Sequence, residues 1–271
     1  MEYNFLEHFF THKDYIKQME EAGVYVPGKL FTPLHFVVSA IVLGLIILAA
    51  WYVTKRKSEK LLKGIYIGIW ITLTSVEVIK MIWESVSGMT VSFETTGILP
   101  LYPCSVIMYT LPFTIWGTDK LKAMANGYTC TIGLLGAAIN FVYPGTALPN
   151  YSVLSFVGLH ALLYHGAMLF CVITLLSTKQ HSYGFAKKWT DLLLPSIPML
   201  VFSIPANIVN YTVQGADYMF FKGDAMFLSV IFGGVPNWAT TILGYVIYIV
   251  VPALFYLPGF IINSKKTQKG Q

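Results

Sequence analysis

Seven stretches of this chain are apolar over the roughly 20 residues that a bilayer crossing requires: 34–54, 62–83, 98–117, 121–143, 153–176, 190–211 and 236–262. A backbone in hydrocarbon must satisfy every N–H and C=O internally, so runs of this length predict an all-α fold. The expectation is a polytopic membrane bundle of about seven transmembrane helices. Composition agrees: charged residues make up 11% of the chain, against about 25% in a soluble domain. The expected layout is an amphipathic outer-surface segment over 1–30, a seven-helix transmembrane domain over 31–263 and a basic tail over 264–271. Residues 98–117 are the least regular span, because Pro100, Pro103 and Pro112 favour a broken or partly re-entrant segment.

The formal net charge of +5 reads first as topology. One set of loops carries Lys55, Arg56, Lys57, Lys60, Lys63, Lys120, Lys122, Lys179, Lys187, Lys188, Lys265, Lys266 and Lys269. The other carries Lys13, Lys17, Lys29 and Lys222, with Lys80 left inside a span. This asymmetry predicts the N-terminus outside and the C-terminus in the cytoplasm. Arg56 is the single arginine, so bidentate phosphate recognition is poorly served and no nucleic-acid partner is expected. Three cysteines without a CxxC pair indicate no disulfide framework. His8 and His12 have i,i+4 spacing but no third ligand at a suitable spacing, so they read as a solvated polar face and no metal is expected.

Ionisable groups inside spans cost about 2.5–3.5 kcal/mol each on insertion scales, so each demands a reason. They are Glu77, Lys80, Cys104, His160, His165 and Asp191, with amides at Asn140, Asn207 and Asn210. Counting 1.5 Å per helical residue puts Glu77, Cys104 and His160 roughly 9–11 Å below the outer hydrocarbon edge, and His165 at about 18 Å. All but Asp191 therefore belong to the outer side or the midplane. Glu77 and Lys80 are i,i+3 and are equally readable as a self-neutralising buried pair. Cys130 and Cys171 read as small packing residues. Cys104 differs, since it follows two prolines at a helix start, where free N–H groups and the helix dipole favour a thiolate. The chain has no GxSxG, HExxH, Walker, GxGxxG or HxxxxD motif, and no cofactor is expected. A cysteine–histidine pairing is the one nucleophile–base combination that the topology supports.

Three segments carry a resemblance: LPLYPC (99–104), LHALLYHGAM (159–168) and NYTVQGADYMFF (210–221). On these the chain resembles the YwaF-like integral membrane proteins of Gram-positive bacteria, which are similar to the transmembrane protein 164 acyltransferases. In the third segment the family usually has Asn before the Tyr; here Asp217 precedes Tyr218. The resemblance implies a multi-pass protein of the bacterial cell membrane that moves a fatty acyl chain from a phospholipid to a lysophospholipid through a cysteine acyl-enzyme. Carried onto this sequence, the nucleophile is Cys104 and the histidine is His165 or His160. Asn210 or Asn207, or N–H groups near Pro103–Ser105, would hold the oxyanion. Glu77, Lys80, Asn207, Tyr102 and Tyr211 are candidate substrate-binding residues, with Lys80 meeting the lipid phosphate and Lys29 or Lys222 helping from the surface. The alternative expectation is a transporter or solute-binding membrane protein with a Glu77/Lys80 site between broken helices.

Overall fold

The computed structural model describes residues 3–88, 98–222 and 235–269, with side chains through Lys265. The described secondary structure is helical throughout. After a short surface helix α1 (Lys13–Glu21), α2 (Pro33–Arg56) and α3 (Glu59–Ser87) form the first hairpin. Helix α4 (Val106–Trp116) is preceded by a 3-10 turn at Pro103–Ser105. Helices α5 (Asp119–Tyr128) and α6 (Leu134–Val142) form one rod, joined through a π turn at Thr129–Gly133. Helix α7 (Phe156–Ser177) follows, then a 3-10 segment Trp189–Ser196 leading into α8 (Ile197–Thr212), and finally α9 (Asn237–Lys269).

Local chemistry sets these boundaries. Thr32 accepts the His35 N–H as the N-cap of α2, Pro33 occupies the first turn, and Lys55 and Arg56 sit against the C-terminal dipole. Ser58 and Ser155 cap α3 and α7 in the same way. Among the described residues, five helical segments are long and apolar enough to cross a membrane: Pro33–Arg56, Glu59–Ser87, Phe156–Ser177, Trp189–Thr212 and Asn237–Lys265. The two other expected spans are shaped differently. The 119–142 rod is interrupted by the π turn, and residues 98–117 contain a helix only from Val106 onward. At about 1.5 Å per residue, the 11-residue α4 covers some 16 Å, half of a ~30 Å hydrocarbon core.

Helix α7 is the centre of the bundle, with 56% of its most apolar window buried, against 11% for the lipid-facing α2. The end opposite the N-terminal segment is closed by tight contacts. Gly127 lies so near Pro195 that a Cβ there would stand 2.7 Å from its ring. Tyr183 donates to the Cys130 carbonyl (2.7 Å), and Cys130 and Cys171 are fully buried packing residues.

Three local features go beyond the expected layout. The amphipathic helix expected over residues 1–30 is only nine residues long, and it is packed down: Ile16 is fully buried, and the Phe156 and Val153 N–H groups donate to the Phe9 and Gly28 carbonyls. His12 is a buried N-cap 3.1 Å from Asp14 rather than part of a solvated face. The chain after residue 263 continues α9 as helix through Lys269, with Pro252 and Pro258 inside the same helix. We call the end of the bundle that carries the N-terminal segment the capped end.

Candidate active site

The prolines before Cys104 shape the site. Pro100 and Pro103 lack N–H groups and push their predecessors out of α geometry, so Ile98–Tyr102 is not helical and the chain turns into α4 only after Ser105. The Tyr128 hydroxyl donates to the Pro103 carbonyl at 2.6 Å, fixing the turn against the middle of the 119–142 rod. Cys104 therefore lies level with the rod's centre. The depth obtained by counting helical residues from 98 does not hold, because the first five residues are not helical.

Cys104 faces a cavity of about 460 Å³. One wall comes from α3, where Glu77, Lys80 and Glu84 share a face at i, i+3 and i+7. Lys80 Nζ lies 3.2 Å from Glu77 Oε1 and 3.9 Å from Glu84 Oε2. The next wall is α7, which presents His160 and His165. His160 Nε2 is 3.0 Å from Glu77 Oε2, an ion-pair contact off the line of a good hydrogen bond. His165 Nδ1 is 2.8 Å from the Ala161 carbonyl, which can only accept, so Nδ1 carries the proton and Nε2 is the basic nitrogen. Glu77 and Lys80 both lie within electrostatic range of the Cys104 thiol. Ser105 and Tyr102 line the cavity beside it. The remaining wall, from the π turn, α6 and α9, is mainly apolar, with Ile132, Leu135, Ile139, Ile247 and Val251 beside Asn140 on α6 and Tyr248 on α9. His12, Lys13 and Asp14 line it at the capped end.

Of the residues read from sequence as catalytic or substrate-binding, Cys104, Glu77, Lys80, His160, His165 and Tyr102 thus share one cavity. Three do not. Asn210 is buried and committed to the following turn: its Nδ2 donates to the Tyr218 carbonyl (2.9 Å) and its Oδ1 accepts the Tyr218 N–H (2.7 Å). Asn207 Nδ2 donates to the Tyr245 hydroxyl (2.6 Å), outside the cavity lining. Tyr211 is 68% exposed and points away. Lys80 has two carboxylate neighbours and a side chain only 15% exposed, which fits an internal counter-ion better than a phosphate ligand. Lys29 is held by both oxygens of Glu20.

Sequence reasoning missed Glu84, because the expected span ended at residue 83; its i+7 relation to Glu77 was the available signal. It also missed the link between two of the motifs. The Leu99 N–H donates to the Tyr218 hydroxyl (2.9 Å), and the Tyr102 ring packs on Tyr218 (5.1 Å) and Phe220 (5.5 Å). The 210–221 segment thereby braces the turn that presents Cys104. Asp217, at the position where the resemblance leads one to expect Asn, accepts the Lys222 N–H (2.7 Å) within the same turn.

No curated protein and no solved structure matches the chain. The model of the TMEM164 family matches residues 30–257, a stretch that contains Cys104, the α3 ladder, both α7 histidines and the 210–221 brace. The chain belongs to the TMEM164 family.

Proposed function

We propose that this chain is a membrane acyltransferase that moves a fatty acyl chain from a phospholipid to a lysophospholipid through a thioester on Cys104. The observation that carries this reading is the cavity itself. It sets one thiol, at the start of a helix, between a carboxylate–histidine wall and an apolar wall. Family membership and the apolar helices support a membrane enzyme with a lipid substrate.

In this mechanism His160 is the base, and the Glu77 carboxylate, 3.0 Å from its Nε2, favours the imidazolium that forms. The Cys104 thiol gives its proton to His160, and the thiolate attacks the ester carbonyl of the donor. The Ser105 N–H is already bonded to the Tyr102 carbonyl (3.0 Å), so the Cys104 N–H and the Ser105 hydroxyl are the donors offered to the oxyanion. Collapse breaks the acyl C–O bond, and the departing glyceryl oxygen takes the proton back from the imidazolium. The hydroxyl of a lysophospholipid then gives its proton to His160 and attacks the thioester, and the sulfur leaves to be reprotonated. Atoms and protons balance over the cycle, and no cofactor enters.

Among the described residues the cavity lining ends at Ile132 and Val251, below which Gly127–Pro195 and Tyr183–Cys130 close the bundle. A site served from the capped end and the lipid flank suits acyl transfer better than alternating access. With lysines counted as above, the capped end is the outer leaflet side. The test is intact-mass analysis of protein purified from lipid. Wild type carries a fatty acyl increment that neutral hydroxylamine removes, and Cys104→Ala carries none. An unmodified wild type after incubation with donor lipid contradicts the proposal.

A further inference from the structure

The α6–α9 wall has a gap that packing alone does not explain. Helix α9 packs on the π turn at Thr129–Gly133 but hardly on α6 above it. The cavity occupies the space between them. On this wall Gly136, which lines the cavity, is unlike Gly127 and Gly133, the glycines of the rod outside the lining. A Cβ built at Gly127 would stand 2.7 Å from Pro195, whereas one at Gly136 meets no atom of the described residues within 4 Å. Gly136 is not there to let two helices touch. It faces open volume beside Cys104.

We propose that the apolar wall between α6 and α9 receives the acyl chain and that Gly136 gauges how large a chain it accepts. This rests on the acyl-transfer reading above. Three features fix the class of occupant. The wall is hydrocarbon from Ile132 to Ile139, with Ile247 and Val251 opposite, while the charged groups lie on α3 and, at the capped end, at Lys13 and Asp14. From Ile132 to Tyr143 the cavity follows α6 for roughly 16 Å at 1.5 Å per residue. That is about half of a ~30 Å hydrocarbon core, the depth one fatty acyl chain occupies in its own leaflet. Finally, a shallow apolar groove of Ala138, Ile139, Val142 and Tyr143 adjoins the cavity at Ile139 and Tyr143, giving the chain a sideways exit along α6. With hydrogen as the side chain at 136, a chain passes beside the thiol. Any larger group stands in its path.

The experiment uses full-length protein in vesicles of mixed phosphatidylcholines of graded chain length, with the acyl adducts on Cys104 read by intact mass. Gly136→Ala, Gly136→Val and Gly136→Phe are compared, and alkylation of Cys104 by a small thiol reagent reports whether the site remains folded and open. The expected result is a progressive shift to shorter adducts, with the long-to-short ratio falling about tenfold or more by Gly136→Phe, at unchanged small-reagent reactivity. Loss of long adducts alone in Gly136→Val supports the gauge even if Gly136→Phe does not fold. A folded Gly136→Val with the wild-type chain profile overturns it. Absence of any adduct on the wild type sinks the acyl-transfer reading and the gauge with it, a failure distinct from an unaltered profile.

Discussion

Replacing Asn210 with Ala separates a brace from an oxyanion donor. Asn210 is 3% exposed, and its amide makes two hydrogen bonds to the backbone of Tyr218, at 2.9 and 2.7 Å. Truncation leaves a buried N–H and a buried C=O without those partners, at about 1–3 kcal/mol each. The two are coupled and relax together, so a loss on the order of 2–4 kcal/mol is expected. At roughly 2–4 °C per kcal/mol the apparent unfolding midpoint falls by about 4–16 °C, read at a fixed scan rate in one detergent because membrane proteins commonly unfold irreversibly. The damage should reach Cys104 indirectly, since Tyr218 accepts the Leu99 N–H and packs on Tyr102. Asn210→Asp keeps the acceptor for the Tyr218 N–H but sets a carboxylate against the Tyr218 carbonyl, so it rescues little. A midpoint equal to wild type together with a large loss of acyl transfer would refute the bracing role and return Asn210 to the chemistry.

Lys80→Met strands the Glu77 and Glu84 carboxylates without their shared cation and should cost about 3–5 kcal/mol, with partial recovery in Lys80→Met/Glu77→Gln; equal midpoints for wild type and Lys80→Met would contradict the counter-ion role. Gly127→Ala drives a methyl group into Pro195 and should lower stability by about 1–3 kcal/mol, whereas Gly136→Ala, in open space within a helix, should be neutral or stabilising by about 0.5–1 kcal/mol; thermal scans of the pair decide. His181 lies between α7 and α8, and burial lowers its ring to about 4, with Nε2 2.6 Å from the Tyr256 hydroxyl. Because the folded value lies below the unfolded value of about 6.5, this contribution is complete above pH 6.5. It is lost as pH falls from there towards 4, on the order of 3 kcal/mol in all. His181→Asn should flatten the fall in midpoint between pH 7 and pH 5, and an unchanged slope would remove His181 as its cause.

The helix positions were legible because hydrocarbon solvation sets them. The stretch 34–54 became Pro33–Arg56, and 153–176 became Phe156–Ser177, each with its cap readable as Thr32 or Ser155. The companionship of Glu77, Lys80, Cys104 and His160 was also legible, from the cost of exposing each to lipid. What failed was geometry that depends on the path of the chain. Rise per residue measures depth only within a helix, and the prolines before Cys104 remove that condition. Asn207 and Asn210 lie at a suitable depth, yet depth says nothing of direction: Asn210 turns to the Tyr218 backbone, a partner set by the loop that follows. Tyr211, next in sequence, projects outward for the same reason of helical rotation. The π turn at Thr129–Gly133 lies within an unbroken apolar stretch that gives it no mark, though it sets where α9 meets the rod and so where the cavity begins.

The central claim is that the Cys104 sulfur carries the acyl group between two lipids. The most direct measurement follows a labelled acyl chain from a diacyl phospholipid to an added lysophospholipid, in vesicles containing purified wild type or Cys104→Ala. The account predicts labelled diacyl product with wild type, a labelled thioester on Cys104 when the acceptor is omitted, and discharge of that thioester when the acceptor is restored. Transfer by Cys104→Ala at the wild-type rate, or a thioester that the acceptor cannot discharge, would contradict it.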